Sequence, residues 1–408
     1  MKAIALLIRR GLQQHALSSL LAALLVALAT GGLLTVWTVR TAAREAFADA
    51  AGPFDAVLGA RGSPLQLVMA GLLHLEPAQG RLPANEAVNL KHHPAVAAAT
   101  PIAIGDSYKG WRIVGVSSDF FSPEIWGSLK APELRSGGQW FADDGHQLVV
   151  GSHAAAQLGL KPGDHLHPEH GLDYSKEASE DHEHDEEFIV SGVLKPTGTP
   201  MDRVLWVPLQ AMQTLSGHDP AAAHSASLIL VKFKPNAGAA AFQLAQQMNR
   251  EAGPYTLAWP VAALIAGLFD RLMWVDHVLS LGAMMAMVMA ALCVVVALQG
   301  SMSARQRDWA ILRAMGAHRS QLLASVAGEA GGIGLCGIIL GYAIYATLAG
   351  MITWQVQLRT GVILDMTRAN PALIIGPVCM CFLCLISGLW PAWQAYRTAV
   401  SDKLAARS

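Results

Sequence analysis

Four long stretches of this chain contain no Lys, Arg, Asp or Glu: Gly11–Val39, Val278–Ala304, Ala330–Leu358 and Ala369–Tyr396. Each exceeds the ~20 apolar residues with which an α-helix crosses a hydrocarbon core of ~30 Å. The pattern predicts transmembrane helices over 11–39, 274–302, 321–353 and 371–396. Residues 303–320 form one connecting loop and 354–370 a short loop on the opposite side. Short polar ends cover 1–10 and 397–408. The region 40–273 between the first and second spans is polar and large. The predicted fold class is a membrane protein with four transmembrane α-helices and a large mixed α/β extracytoplasmic domain between the first and second.

Within that region, DAVLGA, WRIVGVS, HQLVVGS, FIVSGVL, RVLWVPL and SLILVKF are short runs rich in Val, Ile and Leu. Gly, Pro, Asp or Ser bound them, which reads as strands. AVNLKHHPAVAAA, HAAAQLGL, LQAMQTLSG and GAAAFQLAQQMNREAG read as helices. This alternation favours two small α/β lobes over an all-β sandwich. Span one is expected to continue as a stalk helix, because LTVWTVRTAAREAFADA has no Gly or Pro before Gly52-Pro53. Before the second span, Asp270, Arg271, Asp276 and His277 interrupt the apolar run AWPVAALIAGLFDRLMWVDHV. That pattern predicts an amphipathic helix along the outer membrane surface. Gly328-to-Gly332 and Gly337-to-Gly341 are GxxxG spacings, which let membrane helices approach closely.

Charged residues make up 14% of the chain, against about 25% in a soluble domain, and mean hydropathy is +0.36. Lys2, Arg9 and Arg10 precede an apolar run too long for a signal peptide's ~7–15-residue core, so the first span is read as uncleaved. Basic residues also set orientation. They precede span one, lie between spans two and three (Arg305, Arg307, Arg313, Arg319) and follow span four (Arg397, Lys403, Arg407). Both termini are therefore expected in the cytoplasm. All five cysteines fall inside spans, so the outer domain is not built on disulfides.

The segment Met302–Ala330 reads MSARQRDWAILRAMGAHRSQLLASVAGEA. Trp309, Ile311, Leu312 and Met315 can share one side of a short helix, and Gly316 marks its end. This arginine-rich loop with its ILRA-GA phrase resembles the FtsX/MacB/LolC-type ABC transporter permeases (type VII ABC). Span order and the phrases VVGSHAAAQLGLKPGDHL, GVSSDFF and FIVSGVLKPTGTPMDRVLWVPL extend the resemblance along the chain. It implies that Arg305, Arg307, Asp308, Ile311, Leu312, Arg313, Met315 and Gly316 dock a separate ABC ATPase. It also places Glu329 as an acid early in the third span. Ten residues past Arg319 is ~15 Å of helix, where ionisation is costly without a partner.

A P-loop needs GxxxxGK[ST], and Gly-Lys never occurs in this chain. ATP hydrolysis is assigned to the partner, and the chain itself is read as no enzyme. The insert 164–187 departs from the family pattern, where a short connection is usual. It holds ten acids, five histidines and one lysine. Imidazole suits zinc, copper or nickel, so His165, His167, His170, His182 and His184 are candidate ligands of a weak, multi-site metal contact. His165-x-His167 and His182-x-His184 each put two side chains on one face of an extended strand. A solvated polar loop accounts for the same composition.

The expected function is the permease subunit of an ATP-driven ABC transporter, working by mechanotransmission at the outer face of the bacterial inner membrane. Zinc or another divalent metal is the suggested link to cargo, with no other bound cofactor. Alternatives are a signalling subunit regulating a cell-wall hydrolase, or lipoprotein or lipid extraction, to which the apolar run Val261–Phe269 is suited. Expected partners are an ABC ATPase, a second copy of this chain, the membrane, and a periplasmic carrier or substrate-binding protein. No nucleic acid is expected.

Overall fold

A computed structural model describes residues 2–171, 184–216, 224–250, 253–271, 273–305, 311, 315–316, 318–366 and 370–397. Four helices are long and apolar enough to cross a membrane: Ala16–Asp49, His277–Ala304, Leu323–Thr360 and Ala372–Pro391. A large mixed α/β sheet region lies between the first and second of them. The chain divides into two compact units. One comprises Met1–Ala42, Leu272–Thr353 and Asp365–Ser408; the other comprises Ala43–Arg271 and Trp354–Leu364.

In the helical unit, α1 (Lys2–Gln14) precedes α2 (Ala16–Asp49), with a break at His15. The uncharged stretch starting at Gly11 is thus split between two helices. Within α1, Ile8 and Leu12 sit where a side chain on Gly328 or Gly332 would be. The glycine spacings serve close helix contact. A Cβ on Gly337 would meet Val26 and the Ala23 carbonyl, and one on Gly341 would meet Thr30 and the Ala27 carbonyl. A Cβ on Gly31 would in turn meet the carbonyl of Gly341. Backbones in contact gain dispersion and remove lipid from the seam, which is what holds helices together where the solvent is itself apolar. Ala22, Ala23, Val26, Ala29, Val326, Ala330, Ile333 and Cys384 are buried in the same cluster. Among the described residues all five cysteines are free thiols, and Cys384 serves this packing.

The other unit is built on one ten-stranded sheet. The strands that matter below are β1 (Val96–Tyr108), β2 (Trp111–Val116), β3 (Glu169–His170), β4 (Leu205–Pro208) and β5 (Leu228–Phe233). The long β1 carries the sheet. Its first half pairs antiparallel with β5, from Phe233↔Val96 to Leu228↔Ile102. Its second half pairs with β2, from Ala103↔Gly115 to Tyr108↔Trp111. Two lobes would have separate sheets; here β1 joins them into one.

That strand begins inside the stretch AVNLKHHPAVAAA, which sequence pattern reads as a helix. The helix Asn85–Lys91 ends before Pro94, and Val96–Ala99 is strand. Alanine is the strongest helix former, but intrinsic propensity is a small term, and pairing with β5 overrides it. The segment Val261–Arg271 is a helix that packs on the α/β unit. Val261 and Ile265 are buried in the α/β core, with Leu264 and Phe269 packed against it. Part of its apolar face is therefore occupied by the core of the α/β unit.

The same core holds Phe54, Phe120, Phe121, Trp126 and Trp206. His74 stands edge-on to Trp206, with ring centroids 5.5 Å apart. Burial, then the charge of Arg112, lowers its pKa to about 3.

Two predictions follow from this packing. Gly337→Leu is expected to destabilise the purified full chain by about 1–3 kcal/mol, read as a lower Tm. Gly350→Leu, at an open position of the same helix, should leave Tm unchanged. Between pH ~6.5 and about 3 the unfolded chain binds a proton at residue 74 that the folded chain refuses. Stability should therefore fall as pH drops through that window. His74→Asn, which tolerates the position's positive φ of 51°, should flatten this part of the Tm-versus-pH curve.

Candidate functional site

Strand register brings an acid and a histidine together. In the pairing of β1 with β3, Asp106 lies opposite His170 and Ser107 opposite Glu169. Side chains facing each other across an antiparallel pair have Cβ atoms ~5 Å apart. Asp106 is fully buried, and its Oδ1 is 3.5 Å from His170 Nδ1. The same oxygen is 3.5 Å from Nε2 of His184. The ligand atoms of Asp106, His170 and His184 all lie within 4.8 Å of one another.

His184 is anchored from behind. Its backbone N–H donates to the Pro168 carbonyl at 2.9 Å, and its Nδ1 donates to the Ser216 carbonyl at 2.6 Å. Ser216 is in turn braced by Glu186, which accepts from its N–H and its hydroxyl at 2.8 Å each. A carbonyl only accepts, so Nδ1 carries a proton and Nε2 is the atom turned toward Asp106. This is the bracing that orients a metal-bound imidazole. The Asp106 carboxylate 3.5 Å away raises the His184 pKa above its ordinary value, against the opposing effect of burial. Tetrahedral zinc with bonds of ~2.0–2.1 Å needs ligand atoms about 3.3 Å apart, close to the two 3.5 Å separations. Two imidazoles and one carboxylate would leave a fourth position open.

The remaining candidates behave differently. His165 Nδ1 is 3.0 Å from Glu187 Oε1, with both side chains about half exposed. His167 is exposed. The pairing of 165 with 167 is therefore not what the fold assembles. His182 lies outside the described residues. Asp106 was not among the candidates. Its sequence signal is a carboxylate within the apolar strand pattern PIAIGDSY, since a buried acid demands a partner.

At the other candidate site, Arg305 Nη1 donates to Glu329 Oε1 at 3.0 Å, and both residues are buried. Gly11 packs directly over the pair, where any Cβ would collide with both side chains. Arg305 is therefore turned into the helical unit and not offered to a docking partner. The reason is Glu329, whose carboxylate needs a cation at that depth. Ile311 and Met315 are both exposed, the latter at 73%. The Met315 N–H donates to the Ile311 carbonyl at 3.0 Å, one helical turn, so the two side chains share a face. Gly316 follows with φ +99°, the left-handed conformation that ends a helix. Arg307, Asp308, Leu312 and Arg313 lie outside the described residues.

Residues 280–400 match the model of the FtsX-like permease C-terminal family. The match covers the second, third and fourth apolar helices and the loop holding Arg305, Ile311 and Met315. No curated protein matches the chain.

Zinc titrated into the purified full chain by calorimetry is expected to bind. Asp106→Ala and His184→Ala should each weaken binding at least tenfold, in keeping with the loss of one ligand, on the order of 1.4 kcal/mol or more. His167→Ala should leave the isotherm unchanged.

Proposed function

From the premise that residues 280–400 form an FtsX-like permease domain, the membrane subunit type of ABC systems, we propose a mechanical role for this chain. It is the transmembrane subunit of an ATP-driven machine, with both termini in the cytoplasm and the α/β unit in the periplasm. A separate ATPase docks on the loop around Ile311–Gly316, and two copies pair across their membrane helices. Closure of the ATPases pulls on the loop, and the motion is passed outward along the helices. The substrate handled at the outer face is zinc or a similar divalent cation, met by Asp106, His170 and His184.

One observation carries this reading. The Arg305–Glu329 pair fastens the start of the loop to the third apolar helix, while Ile311 and Met315 a few residues later stay exposed. A pull that reaches Arg305 would thereby be passed to Glu329. Removing one partner of a buried ion pair costs roughly 3–5 kcal/mol, so the two residues are held to each other. The apolar side chains next to it are the residue types that anchor a helix in a partner's groove. Helix α2 supports the same reading. Its 34 residues run without a break from Ala16 to Asp49, about 51 Å of continuous helix. The boundary between the two compact units, Ala42/Ala43, falls inside it.

Membrane preparations of the Met315→Asp and Ile311→Asp double variant are expected to contain normal amounts of the chain but to retain about a tenth or less of the ATPase. Glu329→Gln should retain the ATPase yet lose the stimulation of its activity by zinc. An ATPase that co-purifies equally with the double variant would refute the docking assignment. Zinc that leaves wild-type ATPase activity untouched would refute the cargo assignment while leaving docking in place.

A further inference from the structure

The α/β unit contains a cavity of about 210 Å³ whose lining, among the described residues, includes Arg112, Arg203 and Arg359 and no acid. The three come from separate elements: β2, the 3-10 turn Pro200–Arg203, and the last turn of the helix Arg319–Thr360. All lie in the same compact unit. Arg112 is steered by two carbonyls, donating to Glu76 O at 2.8 Å and Leu75 O at 3.1 Å. Arg203 lies over the Trp111 ring, 4.9 Å from its centroid. Its Nε–H is buried and donates to nothing among the described residues.

The nearest acid in sequence makes its hydrogen bonds to the loop instead of to Arg203. Asp202 accepts from the Thr197 N–H and hydroxyl at 3.0 Å and from the Gly198 N–H at 2.8 Å. Its carboxylate is spent on shaping the loop. Burial, then the charges of Arg112 and Arg359, push the Arg203 pKa down. The C-terminal end of a helix offsets part of the charge on Arg359. Gly361 also matters: its φ of +75° and lack of a side chain let the chain pass against the Arg203 stem. The Ile363 N–H then ties this segment to the Gly198 carbonyl at 3.0 Å. The fold therefore turns three guanidinium groups toward one open space, a set of donors that suits an anion.

We propose that Arg112, Arg203 and Arg359 form a binding site for a phosphate group, borne by a lipid headgroup or by a soluble phosphate. Guanidinium forks match phosphate oxygens in pairs, and arginine tolerates partial burial better than lysine because it is more weakly hydrated. The position of Arg359 favours the lipid. The uncharged stretch Ala330–Leu358 makes about 43 Å of helix, against ~40–45 Å for a bilayer including its headgroups. Arg359 follows that stretch directly and so falls level with a headgroup layer. This inference uses the membrane span alone and is independent of ATPase docking and of metal binding.

The test uses the full chain in nanodiscs of phosphatidylcholine, with and without phosphatidylglycerol, and in detergent with inorganic phosphate. Thermal shift and native mass spectrometry read the binding. Phosphatidylglycerol is expected to raise Tm, and Arg203→Gln or Arg359→Gln to weaken its binding about tenfold, the loss of one charge-assisted contact. Arg359→Gln in phosphatidylcholine alone should be at least as stable as wild type, because it removes repulsion from an exposed side chain. An arginine-dependent response to inorganic phosphate alone would support the site and assign it to a soluble ligand. No arginine-dependent response to either ligand would overturn the proposal.

Discussion

A carboxylate inside a bundle of membrane helices has no water to turn to, and Glu329 meets that constraint through Arg305. Desolvating either charge by itself costs several kcal/mol, and their attraction at 3.0 Å returns most of it only while both stay in place. The pair thus links two stretches of chain that differ in solvent. On one side is a loop with exposed apolar side chains at Ile311 and Met315; on the other, the long apolar helix that begins at Arg319. Gly11 is part of the same constraint, since only a residue without a side chain lets α1 cover the pair.

The rest of the helical unit is held by proximity and not by polarity. Gly31, Gly337 and Gly341 allow carbonyl oxygens of one helix to touch the other, so dispersion and the exclusion of lipid do the joining. Such a seam is stiff along the helix axes, because sliding one helix would drive a backbone into Val26 or Ile344. Stiff seams and a buried ion pair are the materials from which a mechanical linkage would be made. The α/β unit is organised by a different force, the pairing of one 13-residue strand with neighbours on both sides along its length. That strand carries Asp106 into a buried position, where register places His170 opposite it.

The two polar clusters of the α/β unit answer opposite electrostatic problems. At Asp106, a buried carboxylate gathers two imidazoles, one of them braced through Ser216 by Glu186. At Arg203, three guanidiniums face a shared cavity while the neighbouring Asp202 is engaged by loop amides. Each cluster is made of groups that sequence separation keeps apart: residues 106, 170 and 184 in one, residues 112, 203 and 359 in the other.

Hydrophobic length was readable from the chain by itself, because twenty or more apolar residues in a helix have one stable environment. So were six strands, the existence of a histidine-rich metal candidate and the end of a helical turn at Gly316, each fixed by local chemistry. What the chain alone could not reveal were the partners of its charged groups. Val96–Ala99 is helix by propensity and strand by pairing. Val261–Ile265 is amphipathic in either setting, and only the fold shows that its apolar face meets the α/β core. Glu329 announces that it needs a cation without naming Arg305, and His170 does not announce Asp106. A buried charge takes its energy from whatever lies within a few ångströms of it, and that distance is decided by strand register and helix packing across long separations in sequence.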